Sequence, residues 1–338
     1  MKGRGAAHNP GNRFERIEAE PEEFDPGTVY LRDRSRSIIA RNASPDIPFE
    51  ASVNPYRGCE HGCAYCYARP THEYLGFSAG LDFESRILVK EDAPELLRRE
   101  LSSPRWEPKP LALSGVTDPY QPVEKRLRLT RRCLEVLAEF RNPAAVITKN
   151  HLVTRDIDLL CELARYGAAS VAISLTTLDD DLRRVLEPRT SRPARRLAAV
   201  KRLAAANIPV GVMVAPVIPG LNDHEIPQIL SAAAGAGARF AGYTPIRLPH
   251  AVAPLFEDWL ERHRPAAKEK VLGRIRSIRG GKLNDPHFGS RMRGEGFYAG
   301  HIRQLFRISR RRAGLSDRPA EQLSVAAFRR PTEQPRLF

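Results

Sequence analysis

The strongest constraint on what this chain can fold into is the alternation of short apolar runs with amphipathic segments through its middle. Residues 110–114, 144–148, 169–175, 208–214 and 240–243 are apolar runs, and residues 130–140, 155–166, 195–206 and 223–236 carry apolar residues at helical spacing. Strand and helix in strict alternation predict a parallel sheet built with right-handed crossovers. A further strand before Cys59 brings the expected count to about six βα units. The chain has 338 residues, and α/β barrels run past about 200 residues as one domain, so a single catalytic domain with extensions is expected.

The flanks lack this pattern. Residues 1–50 are polar and rich in Arg, Pro and Gly, and read as a partly irregular N-terminal arm or wrapping segment. Residues 51–250 form the expected core, and residues 251–313 a helical extension. Within that extension, residues 256–279 read as one or two amphipathic helices and residues 301–312 as a basic helix. Between them, residues 282–296 make a loop dense in Gly and Arg, placed to close the open side of an incomplete barrel. Arg291 and Arg293 in that loop read either as phosphate or substrate ligands or as parts of a solvated turn. Residues 314–338 are Pro- and charge-rich without periodicity and are expected to be disordered.

Composition narrows the setting. No apolar stretch reaches the roughly 18 residues of a membrane span. With five cysteines and a polar N-terminus, a disulfide scaffold or a secreted protein is not expected, and the chain reads as cytoplasmic. The formal net charge is +14 and the pI about 9.9, mostly through arginine, whose planar fork suits phosphate. Nucleic acid is therefore an expected partner, against the plainer reading of an Arg-rich surface with salt-sensitive, sequence-blind association only.

Three of the cysteines stand together as Cys59, Cys63 and Cys66, in the spacing Cys-x3-Cys-x2-Cys. Three thiolates leave one position open where a closed tetrahedral zinc site or a fully ligated iron–sulfur cluster takes four protein ligands. An open position on a soft-ligand site is where a substrate or cofactor binds the metal directly. The competing reading is a structural zinc knuckle completed by His61 or His72, although no second ligand pair follows at zinc-finger spacing. Cys133 and Cys161 fall on apolar faces of expected helices and read as structural thiols.

This spacing, with the aromatic Tyr65 just before the third cysteine, resembles the signature of the radical S-adenosylmethionine (SAM) enzymes. The resemblance implies a partial (β/α)6 TIM-type barrel in which Cys59, Cys63 and Cys66 hold a [4Fe–4S] cluster and SAM chelates the fourth iron. It also implies a one-electron reductant of flavodoxin or ferredoxin type. One electron passed to SAM then yields a 5′-deoxyadenosyl radical that takes hydrogen from a substrate. Active sites of such barrels lie at the C-terminal strand ends, where Ser114, Gly115, Lys149 and Ser174 fall. In that frame Lys149 is the partner of the SAM carboxylate, Ser174 of the ribose, and Ser114 with Gly115 of the methionyl amine, with Glu124 a further option for the amine. Tyr65 joins the cofactor-binding set, and residues 214–218 flank the adenine.

Further residues resemble one branch, the spore photoproduct lyase-like proteins: Tyr65 and Tyr67 on both sides of Cys66, Thr148-Lys149, Ile173-Ser174-Leu175, and residues 186–191 and 214–218. That branch repairs a thymine dimer of DNA and returns its radical to SAM through a cysteine and tyrosines, which implies catalytic roles for Tyr65 and Tyr67. One departure stands out: the hydrogen-donating cysteine belongs in residues 114–118, which here read Ser-Gly-Val-Thr-Asp. Two alternatives stay open. One is a radical SAM modification of RNA, protein or a metabolite; the other is a non-enzymatic nucleic-acid-binding protein with a structural zinc or a redox-sensing cluster.

Overall fold

The computed structural model describes residues 3–14, 27–316 and 322–331. Its strands are β1 (Val29–Arg32), β2 (Ile39–Arg41), β3 (Ala51–Val53), β4 (Tyr56–Arg57), β5 (Arg86–Val89), β6 (Leu111–Leu113), β7 (Ala144–Thr148), β8 (Ala169–Ser174), β9 (Val210–Val217) and β10 (Phe240–Pro245). The main sheet has seven strands in the order β10-β9-β8-β7-β6-β3-β2. Six of them, β3 and β6 to β10, run parallel in the order of the chain, and β2 pairs antiparallel to β3 at one edge. The expected alternation is therefore present, including the strand before Cys59.

The strands read as continuous apolar runs because both faces are covered. Val171, Val210 and Val212 are wholly buried, as are Leu111 and Leu113. Helices Leu129–Phe140, Ile157–Ala164, Pro193–Ala205 and Ile226–Gly235 bury one stripe each against the sheet, for example Leu134, Leu137 and Phe140 in the first. Because the strand order never reverses, right-handed crossovers place these helices on one face. The sheet is not closed, since β2 and β10 pair with no common neighbour among the described residues.

Four local expectations change. The second predicted helix, over 155–166, starts later, because residues His151–Asp156 form a 3-10 turn capped by the Asn150 side chain on Leu152 N. A second, three-stranded sheet (β1-β5-β4) was not legible, as its strands are too short to show periodicity. The extension starts earlier than residue 256, with helix Val252–His263 followed by Lys268–Ser277, and its basic helix, Gly296–Arg312, starts earlier than residue 301 and buries Ile302 and Phe306 in the main core. The tail expected to be disordered is, over residues 322–331, laid on the body: Ser324 N donates to Gly167 O (3.0 Å), Arg329 N to Phe140 O (2.9 Å), and Phe328 packs on Phe140. Backbone hydrogen bonds and one aromatic hold it, and neither leaves a periodic trace. Residues 15–26 of the arm, and residues 317–321 and 332–338 of the tail, lie outside the described residues. Among the described residues no helix is long and apolar enough to cross a membrane.

Candidate active site

The three cysteines lie on one loop between β4 and the turn Arg69–Leu75. All three are free thiols; Cys59 and Cys63 are buried and Cys66 is partly exposed. Local hydrogen bonds fold the loop back on itself, from Gly62 N to Cys59 O and from Cys66 N to Cys63 O. Gly58 and Gly62 both take positive φ, and a Cβ at Gly58 would sit 2.9 Å from Phe83 O, so glycine is required there. The wholly buried Arg69 pins the loop from beneath: its Nε and Nη2 donate to Cys63 O, its Nη1 to Ala79 O and Gly80 O, and Nη2 also pairs with Glu84.

Asp118, at the end of the β6 segment, joins this loop to the neighbouring strand end. Its carboxylate accepts from Thr148 Oγ1 (2.6 Å) and from Lys149 N (2.7 Å), and lies 3.3 Å from His61 Nδ1. Burial opposes its ionisation, yet the His61 charge and these donors outweigh burial and hold it at about 2. Lys149 Nζ lies 3.5 Å from Ala215 O and 5.9 Å from the ring centre of Tyr65, which stands between Cys63 and Cys66 in the chain. Burial pushes the Cys63 and Cys66 thiols up, and the Lys149 charge works against that at both. Such a cation favours the thiolates that a metal requires.

The two tyrosines differ in situation. Tyr65 is buried, and its hydroxyl donates to Glu187 and contacts Thr176 Oγ1 at 3.3 Å. Glu187 also pairs with the buried Arg196, whose Nη1 donates to Ser174 O, so Tyr65 is tied to the end of β8. Tyr67 is 48% exposed, donates its hydroxyl to Gly115 O, and carries the Arg247 guanidinium 5.4 Å above its ring. Gly115 has φ +120°, a conformation that favours glycine, and a Cβ there would lie 3.9 Å from the Asn54 and Ser52 side chains. Ser114 directly follows β6, and its Oγ lies 3.5 Å from Thr117 O. Lys149 directly follows β7, and Ser174 ends β8 and is buried.

Other sequence readings change here. Glu124 is not at the site; it is wholly buried beneath the β6 segment, paired with Arg155 (2.6 Å) and accepting from Tyr56 and Thr130 N. Arg291 is neither a free ligand nor a solvated turn, because Asp46 (2.6 Å) and Ser44 (2.6 Å) take up its guanidinium, while Arg293 is exposed. His72 is a core histidine between Phe77 and Phe83, with Nε2 at 2.9 Å from Arg86 O. Among the described residues no three His, Cys, Asp or Glu side chains, the three cysteines included, are gathered on a single ion position. Cys133 is wholly buried in the main core and Cys161 directs Sγ at Ala206 O, neither of them at the site. Sequence reasoning missed Arg69 and Arg196, and saw Asp118, Glu84 and Glu187 only as parts of longer motifs.

A sequence profile of the radical SAM superfamily matches residues 53–233, more than half of the chain. The chain belongs to the radical SAM superfamily. Members of this superfamily are enzymes that use a [4Fe–4S] cluster and SAM. An uncharacterised protein of Mycobacterium tuberculosis is 41% identical over 65% of this chain and 65% of its own length, so the chain spans just under two thirds of that relative. A radical SAM Nalpha-GlyT isomerase of Pseudomonas phage M6 is 26% identical over 58% of this chain and 39% of its own length. Among solved structures, a mutant spore photoproduct lyase is similar at TM-score 0.58 and 17% identity, covering 85% of this chain and 80% of that one. A second, with bound AdoMet and dinucleoside spore photoproduct, gives TM-score 0.56 at 18% identity, covering 85% and 78%. At these identities the likeness is one of fold, over 85% of this chain.

Proposed function

We propose that Cys59, Cys63 and Cys66 hold the [4Fe–4S] cluster of this radical SAM enzyme. Lys149, Ser174, Ser114, Gly115 and Tyr65 line the place of SAM. When bound and reduced, the cluster supplies the electron that turns SAM into a source of 5′-deoxyadenosyl radical, which abstracts hydrogen from the substrate. In this reading the sequential parallel strands curve as a partial (β/α)6 barrel over residues 51–250, with residues 1–50 as arm and 251–313 as extension. The protein works in the cytoplasm with a flavodoxin- or ferredoxin-type reductant.

The observation that carries the reading is Asp118, which accepts from Lys149 N at 2.7 Å and lies 3.3 Å from His61 Nδ1 in the cysteine loop, so that the end of β7 is tied to the three thiols' loop. Lys149 pairs with the SAM carboxylate, and its charge also supports the thiolates. Tyr65 packs beside the cofactor with its hydroxyl locked on Glu187. Tyr67, half-exposed beside Gly115, is the side chain placed to pass a hydrogen atom. Ser114 and Gly115 stand where the spore photoproduct lyases have their donor cysteine, which favours a different reaction on the same fold, a modification of RNA, protein or a metabolite included. The arginine excess supports a nucleic acid substrate.

Anaerobic reconstitution followed by reduction in the presence of SAM tests this directly. Release of 5′-deoxyadenosine by the wild type, and none by Cys63→Ala, is expected; product from the variant would overturn the ligand assignment.

A further inference from the structure

The described part of the N-terminal arm, residues 3–14, takes no part in the chemistry above, yet it lies on the cysteine loop. Gly5 meets that loop backbone to backbone, so closely that an added Cβ would stand 1.8 Å from Gly62 O and 3.0 Å from Ala64 N. The amides of Gly5 and Ala6 donate to the two oxygens of the buried Glu84, at 3.0 and 2.8 Å. Glu84 is also the partner of Arg69, whose guanidinium holds Cys63 O. Arm, carboxylate, guanidinium and cysteine loop thus form one chain of contacts.

The rest of the arm is anchored along its length. Arg4 Nη1 donates to Glu84 O (3.0 Å), and Gly3 O accepts from Arg189 (3.2 Å), whose own amide donates to His61 O. Asn9 and Asp82 exchange hydrogen bonds at 3.1 and 3.0 Å, and Arg13 pairs with Glu73 at 2.7 Å. A Cβ at Gly80 would meet His8 O at 2.1 Å, a second place where only glycine allows the arm to lie so close.

We infer that residues 3–14 are a clamp that holds the cysteine loop in its ligand-presenting shape and keeps Cys59 and Cys63 from solvent, with Glu84 as the positioning residue. The inference rests on the reading of those cysteines as cluster ligands. An arm satisfied by so many polar contacts closes as one unit, and its loss opens the loop locally while the barrel core stays packed.

Gly5→Ala lifts the arm with one methyl group, and Gly11→Ala is its control, because a Cβ at Gly11 meets nothing within 4 Å. Deletion of residues 1–12 is a second way to remove the clamp, and it leaves Glu84 paired with Arg69. In the metal-free protein, mass-spectrometric alkylation of Cys59 and Cys63 is expected to run on the order of tenfold faster in Gly5→Ala and in the deletion than in the wild type or Gly11→Ala. The partly exposed Cys66 serves as internal reference. After reconstitution, the same two proteins are expected to lose iron in air several-fold faster at an unchanged melting temperature of the core. Equal alkylation rates in Gly5→Ala and wild type would overturn the clamp. A wild type that takes up no iron would instead overturn the ligand assignment, and with it the clamp's purpose, whatever the alkylation rates.

Discussion

Glu187 accepts from Tyr65, Thr176 and Arg196 while wholly buried, so one carboxylate joins the cysteine loop to the end of β8. Burial alone would raise its pKa, but Arg196, Lys149 and the hydroxyl donors outweigh burial and bring it from 4.5 down to about 2. A depressed carboxylate stabilises the fold fully above its unfolded pKa and loses that contribution as pH falls through the folded one. The stability gap between wild type and Glu187→Gln is therefore expected to be on the order of 3 kcal/mol near neutrality and to shrink between pH 4.5 and about 2. Denaturant unfolding across that range measures it, and a gap that stays constant would contradict the charge assignment. Lys149 answers differently, since its Nζ has a single 3.5 Å contact to Ala215 O. Lys149→Met is expected to weaken SAM binding about 10- to 100-fold, the worth of one charge-assisted hydrogen bond. Calorimetric titration with SAM reads this, and an unchanged affinity would remove Lys149 from the site.

At the scale of elements, the loop after β2 and the loop before the last helix meet across the open side of the main sheet. Asp46 accepts from Arg291 Nε and from Gly289 N, each at 2.6 Å. Asp46→Asn is expected to loosen both loops, seen as several-fold faster proteolytic cleavage within residues 282–294 and little change in the melting of the core; an unchanged cleavage rate would show that the tie does not hold them. The six parallel strands and the principal helices were legible because apolar period and length survive in a single sequence. The tie was not, because Asp46 and Arg291 lie far apart in the chain and each sits in a segment without period. Glu124 was misplaced for a related reason: strand order gave its neighbourhood, while its inward direction depends on the packing of Tyr56 and Arg155. The cysteine triplet was legible since its three donors sit within eight residues of one another, whereas Arg69, Asp118 and Arg196 support it from separate elements.

Over the whole molecule, the net charge of +14 predicts association with nucleic acid that falls steeply between about 50 and 200 mM salt. Fluorescence anisotropy with labelled DNA and RNA checks it, and binding indifferent to salt would point to a substrate of another kind. The superfamily sets the cofactors, and the sequence-order parallel sheet brings the strand ends beside the cysteine loop, where the arm also lies. Cluster, cation and clamp then depend on one another, and the cluster ligands are the claim on which the rest stands. The measurement that tests it most directly is iron and sulfide content after anaerobic reconstitution of the wild type and of the five single Cys→Ala variants. About four irons per chain are expected in the wild type, Cys133→Ala and Cys161→Ala, and loss of the cluster in Cys59→Ala, Cys63→Ala and Cys66→Ala. Iron retained at the wild-type level in any of those three, or zinc in place of iron throughout, would contradict the account.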